Sequence, residues 1–208
     1  ACNWPWVQVF NPFAAAEEWY DPAIFAARQC VFTDAVSDPW FAPAGFRRGR
    51  LTKPTATEVV LNQGDRDALY SNSINPVAND PTTGITIFGQ RTTQRTPTAL
   101  DRINVRRLFI VLEKAISTSA KFQLFEFNDA FTRNQFTSLV TPFLRNVQGR
   151  RGIFDFKVIC NESNNTGQVI DSNQFVADIF IKPARSINFI TLNFIATRTD
   201  VSFEEIGG

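Results

Sequence analysis

FVADIFIKPARSINFITLNFIATRTDVSFEEI, residues 175–206, reads as strand, stop, strand, link, strand. Phe175, Ala177, Ile179 and Ile181 fall on one face of an extended segment, with Asp178 and Lys182 on the other. Pro183 removes a backbone donor and ends that strand. The run 187–197 follows. Ile190, Leu192, Phe194 and Ala196 share one face, and Ile187, Phe189 and Ile195 the other. A strand apolar on both faces needs cover on both sides, so this one is expected in the centre of a sheet. From Asp200 to Ile206 the alternation returns, with Val201 and Phe203 opposite Ser202 and Glu204. Strand chemistry at a chain end, where most domains fray, calls for a partner edge in the same chain or in a neighbour.

Outward from this stretch, the order is strand, helix, strand, helix, strand, two long helices, then strands. Trp4 to Phe10 reads as an aromatic strand stopped at Asn11-Pro12. Asp21 caps a helix with Pro22 in its first turn, running to about Ala35, and Ile24, Ala27, Val31 and Ala35 make its apolar stripe. Residues 38–45 are extended and pinned by Trp40 and Phe41. Residues 58–61 form a short strand, 65–71 a helix, 72–84 a turn-rich loop and 84–92 a strand. Asn104 caps a helix whose inner stripe is Val105, Leu108, Phe109, Leu112, Ala115 and Ile116. Asn128-Asp129 caps the next, with Phe131, Phe136, Leu139, Val140, Phe143 and Leu144 inward and Pro142 kinking or splitting it. QGRRG (148–152) ends that helix, and Phe154 to Cys160 is a buried strand. The fold class is α/β (α+β): a single domain with a mixed β-sheet covered by helices and extended terminal arm strands.

Composition narrows the chemistry. The 208 residues include 21 Phe, so the core is rich in aromatic rings. A net charge of +1 gives no pull towards nucleic acid. The basic stretch Arg47, Arg48, Arg50 and Lys53 lacks the aromatic array of a nucleic-acid site and reads as a solvated loop or a contact for an acidic protein. No apolar run approaches the ~20 residues that span a bilayer, so no direct membrane insertion is expected. The cysteines, at 2, 30 and 160, form no CxxC pair; Cys30 and Cys160 read as core thiols, and no metal site is expected.

Histidine is absent, which removes Ser-His and Cys-His nucleophiles together with the commonest metal ligand. No phosphate-cradling glycine motif occurs, and no cofactor is expected. The carboxylate pairs Glu17-Glu18, Asp65/Asp67 and Glu204-Glu205 sit among ordinary polar neighbours. A carboxylate-dependent hydrolase is the enzymatic alternative, and it would need two of these acids brought into one cleft. Asn164-Asn165-Thr166 fits a glycosylation sequon, but nothing else marks a secreted protein.

Several stretches in order carry a resemblance: PWVQVFNP (5–12), DPWFAPAGFRRGRL (38–51), the DRD, LY and INP of 65–76, and GITIFGQRT (84–92). INVRRLFIVLEKAI (103–116), FEFND (125–129), NESNNT (161–166), DIFIKPAR (178–185) and SFEE (202–205) continue it. Together they resemble the contractile tail sheath proteins of bacteriophages and related contractile injection systems. Phe127 departs from the pattern, standing where a FEPND-like segment has proline.

The resemblance implies a structural subunit and no enzyme. Such subunits polymerise as stacked hexameric rings around an inner tail tube, between a baseplate and a tail terminator. They contract to drive the tube through the host envelope for genome ejection. The implied location is the virion tail, assembled in the host bacterial cytoplasm. Residues 1–208 would be the family's C-terminal, inner domain, with 200–208 as the C-terminal arm. A full-length member's outer domains and N-terminal arm would lie before it. Carried over by residue, Val201, Ser202, Phe203, Glu204 and Glu205 form the arm that pairs with a neighbour's sheet. Thr197, Arg198, Thr199 and Asp200 form its hinge. Arg145, Arg150 and Arg151 are the candidates for facing the tube, although cations at a helix C-terminus also suit the helix dipole.

Overall fold

The computed structural model describes residues 1–188. The N-terminal part runs β1 (Cys2–Trp4), β2 (Val7–Asn11), β3 (Ala16–Tyr20), α1 (Pro22–Val36) and a helical turn, α2 (Gly45–Arg48). It continues through β4 (Ala56–Thr57), α3 (Gln63–Ser71), β5 (Ile74–Asp80) and β6 (Gly84–Ile87). The C-terminal part runs α4 (Ile103–Ala120), α5 (Ala130–Gly149), β7 (Ile153–Ile159), a short α6 (Gly167–Asp171) and β8 (Asp178–Pro183).

The fold is α+β, and among the described residues its strands divide into three small sheets. These are β1-β5-β6, with β1 parallel to β5; antiparallel β3-β2-β4; and the antiparallel hairpin β7-β8. Pro76 lies inside β5, a segment expected as loop. It is tolerated because β5 changes partners there: Ile74 to Pro76 pair with β1 and Val77 to Asp80 with β6. Trp4 to Phe10 is two strands rather than one, because Pro5 interrupts it. The strand expected at 58–61 lies earlier, at Ala56–Thr57.

Helix starts follow their caps. Asp21 accepts the Ala23 N–H at 2.8 Å with Pro22 in the first turn, and Asp129 accepts the Thr132 N–H at 2.8 Å. Asn62 and Asp65 form a reciprocal capping box on α3. Asn104 is not the cap of α4. Arg102 occupies that position, and Asn104 is buried within the first turn, its amide 3.4 Å from the Trp40 carbonyl.

The expected stripe of α1 is inverted. Phe25, Gln29 and Thr33 face inward, while Ile24, Ala27, Val31 and Ala35 are exposed, Val31 at 68%. The cause is tertiary: Gln29 donates to the carbonyls of Arg48 and Arg50 at 2.6 and 3.0 Å, which fixes that face inward. In α5, Phe136, Val140, Leu144 and Val147 form a narrow buried seam. Phe131 and Leu139, expected inward, are exposed because their bearing on the helix misses the seam. Pro142 does not split α5, which runs unbroken through it.

Candidate assembly interface

The hairpin β7-β8 decides what this surface can do. Phe156 pairs with Ile181 and Val158 with Ile179 on the inward face, and these four pack on the α4-α5 core together with Phe175 and Ala177. The alternating face expected for 175–181 is therefore the face that is buried, and β8 ends at Pro183 as its chemistry requires. The other face is open to solvent. It presents Asp155, Lys157, Phe180 and Lys182, with an exposed Asp155–Lys182 ion pair at 3.4 Å. Phe154 is 78% exposed, so β7 is a one-sided strand rather than the buried one expected: α5 covers a single face of a two-stranded sheet. Among the described residues neither outer edge of the hairpin has a strand partner.

Both ends of the hairpin are fixed by specific groups. At one end, the Trp40 indole N–H donates to the Arg150 carbonyl at 3.0 Å. The Arg150 guanidinium lies 5.5 Å from the Trp40 ring centroid and pairs with the largely buried Asp38. A Cβ on Gly152 would meet Val147 at 2.8 Å and the Trp40 ring at 3.0 Å, so this position admits no side chain. Arg151 holds φ +66°, the left-handed turn that sends the chain from α5 into β7.

At the other end, asparagines replace backbone pairing. Asn165, fully buried, accepts the Val176 N–H at 2.9 Å and donates to the Val176 carbonyl at 2.7 Å, as a paired strand would. Asn164 donates to the Ile159 carbonyl at 2.8 Å and to Asp178 at 3.1 Å. Asn128 donates to Asn165 Oδ1 at 3.2 Å and to the Gln174 carbonyl at 2.7 Å. The motifs FEFND, NESNNT and DIFIKPAR thus meet at this end of the hairpin. A polar loop in sequence hides these bonds; the only signal was the density of asparagines.

All three residues proposed for a tube contact, Arg145, Arg150 and Arg151, are exposed, and Arg150 is in addition engaged with Asp38 and the Trp40 ring. The strand expected at 187–197 from residue 189 onward, the arm (Val201 to Glu205) and its hinge (Thr197 to Asp200) lie outside the described residues. Of the described carboxylates weighed for catalysis, Glu18 and Asp65 have local tasks. Glu18 accepts from Asn11 and Tyr20, whose hydrogen bonds hold its carboxyl below the usual range, and Asp65 caps α3. Among the described residues, no group of three or more Cys, Asp or Glu side chains is placed to hold a metal ion. No helix there is long and apolar enough to cross a membrane. Cys160 is buried and Cys30 half-buried, and burial pushes both thiols up, away from reactivity.

Residues 95–197, which contain α4, α5 and the hairpin, match the phage tail sheath C-terminal domain family. The chain carries a tail sheath C-terminal domain. It is 49% identical over 199 residues to the tail sheath protein of Vibrio phage KVP40 and 41% identical over 199 residues to that of Enterobacteria phage T4. Each match covers 96% of this chain and 30% of the relative, so the chain spans under a third of these relatives' length. The sheath domain also shares its fold with the PVC sheath complex of an extracellular contractile injection system in its contracted state. The TM-score is 0.84 at 21% identity, over 94% of this chain and 55% of the other.

Proposed function

We propose that this chain is the inner, assembly-forming domain of a contractile tail sheath subunit. The observation that carries the reading is the hairpin β7-β8: rigidly mounted at both ends, packed on one face, and without a strand partner at either outer edge among the described residues. An open edge is a template for a further strand, and the sequence Val201 to Glu205 has the alternation to supply one. In a second copy, this arm adds to the hairpin edge by backbone pairing. Six-fold rings stack around the inner tail tube, with baseplate and terminator at the ends. Thr197 to Asp200 is the link that lets bodies rotate and slide while the ladder stays paired. Arg145, Arg150 and Arg151 are the cations that face the tube, the first and last of them without an ion pair among the described residues. The role is structural and uses no cofactor.

The test is polymerisation of the full-length sheath polypeptide carrying Val201→Asp and Phe203→Asp. Negative-stain microscopy should show monomers in place of striated sheaths. Sheaths of normal length and abundance would overturn the reading.

A further inference from the structure

Arg133 is a charged side chain only 6% exposed, in the second turn of α5. Its Nη1 donates to the Asn128 carbonyl at 3.3 Å and to Asn128 Oδ1 at 3.0 Å, both neutral acceptors. Among the described residues no carboxylate lies within ion-pair reach, and its other guanidinium N–H groups have no hydrogen-bond partner. The nearby acids are otherwise engaged or turned out: Asp129 caps α5 through the Thr132 N–H, Asp178 accepts from Asn164, and Glu162 is exposed. Arg133 lines a groove of about 330 Å³ with Asn134, Cys160, Glu162 and Ser163. A buried guanidinium with neutral partners along one edge and a groove along the other is strongly disposed to bind a carboxylate, whose geometry its planar fork matches.

We propose that this groove receives a glutamate carboxylate from the Val201–Glu205 segment of a second copy. This rests on the arm-exchange reading above and names the contact that sets its register. Two observations select this occupant. The groove begins at Cys160, the residue after β7 ends, so a strand laid along β7 is carried to its mouth. The segment joins two apolar anchors, Val201 and Phe203, to two acids, Glu204 and Glu205. Backbone pairing alone leaves a strand free to slip by two residues; a single buried charge pair does not.

The test is a charge swap in the full-length polypeptide. Arg133→Glu, and separately Glu204→Arg with Glu205→Arg, should each lower the polymerised fraction about tenfold or more, as removal of one partner of a buried pair does. Combining them should restore most of the loss. Swaps that add without rescue would overturn the receptor. Arg133→Gln guards against misfolding: it should melt cooperatively and still assemble poorly, and wild-type assembly would overturn the proposal. Glu162→Gln removes an exposed carboxylate from the groove wall and should leave the melting temperature of the monomer unchanged; a clear drop would make Glu162 the partner of Arg133 and overturn the proposal. Paired Ser163→Cys and Glu204→Cys, in a Cys2→Ser background, should give inter-chain disulfides in oxidised sheaths, and their absence would count against the contact. Deletion of 200–208 separates the two readings. Normal assembly without the segment sinks arm exchange itself, whereas lost assembly with no charge-swap rescue sinks only the receptor.

Discussion

The two hydrophobic cores of this chain are built on different principles. The C-terminal core stacks Leu108 and Leu112 of α4 on Phe136, Val140, Leu144 and Val147 of α5, with Trp40 and Ile153 closing its ends. It is apolar throughout, and helix periodicity sets its shape. The N-terminal core, Val7, Phe25, Leu51, Val77, Ile85 and Ile87, is drawn from short strands and loops. Buried amides brace that part of the chain. Gln29 ties α1 to the carbonyls of Arg48 and Arg50, and Asn75 exchanges bonds with Arg91 at 2.9 and 2.6 Å. The first core keeps its specific donors and acceptors at the two ends of its hairpin, whereas the second has one, Gln29, on the inward face of a packing helix. Replacing polar by apolar groups should therefore harm the second as surely as deleting carbons harms the first.

Trp40→Ala is the severest way to break this comparison. It leaves a cavity in the apolar core and strips the Arg150 carbonyl of its donor, so a loss of about 3–5 kcal/mol is expected by urea unfolding. Gln29→Leu is next and sharpens it. The change adds apolar character, yet it strands two backbone carbonyls and should cost roughly 1–3 kcal/mol; a neutral or stabilising result would mean that the N-terminal core is held by area alone. Asp129→Ala should have the smallest effect and a distinctive pH signature. The Thr132 N–H holds the Asp129 carboxyl below the usual range, so its contribution is complete above the unfolded carboxylate pKa of about 3.9 and is lost as pH falls through the folded value. Wild type and variant should differ most near neutrality and converge in acid, as followed by thermal melts across pH.

The same contrast explains which parts of the fold could be read from sequence. Val105, Leu108 and Leu112 on α4, and Phe136, Val140 and Leu144 on α5, announced themselves by spacing, as did the buried face of β8 and the caps Asp21 and Asp129. Where polar tertiary bonds decide burial, spacing misleads. Gln29 and Thr33 are inside while Val31 is out, and the loop expected at 72–84 contains a strand. The interface was half legible. The hairpin's inner face and stop came from alternation, but nothing in the pattern marks Arg133 and Asn165 as buried or Asn128 as a bridge, since Asn165 is bonded to Val176, 11 residues away, and Asn128 to Gln174, 46 residues away.

Trp40 lies 110 residues before the Arg150 carbonyl to which it is bonded, and it precedes by more than fifty residues the segment that the sheath family recognises. A polypeptide cut at residue 95 would keep both long helices and the hairpin yet lack the indole that plugs their junction, where Gly152 leaves room for nothing else. The segment that matches the family and the folding unit are thus of different lengths, and the relatives, which align over 96% of the chain, follow the folding unit. The folding unit must extend back at least to Asp38. The Trp40–Arg150 contact joins residues far apart in sequence, a feature that slows folding more than it weakens the product.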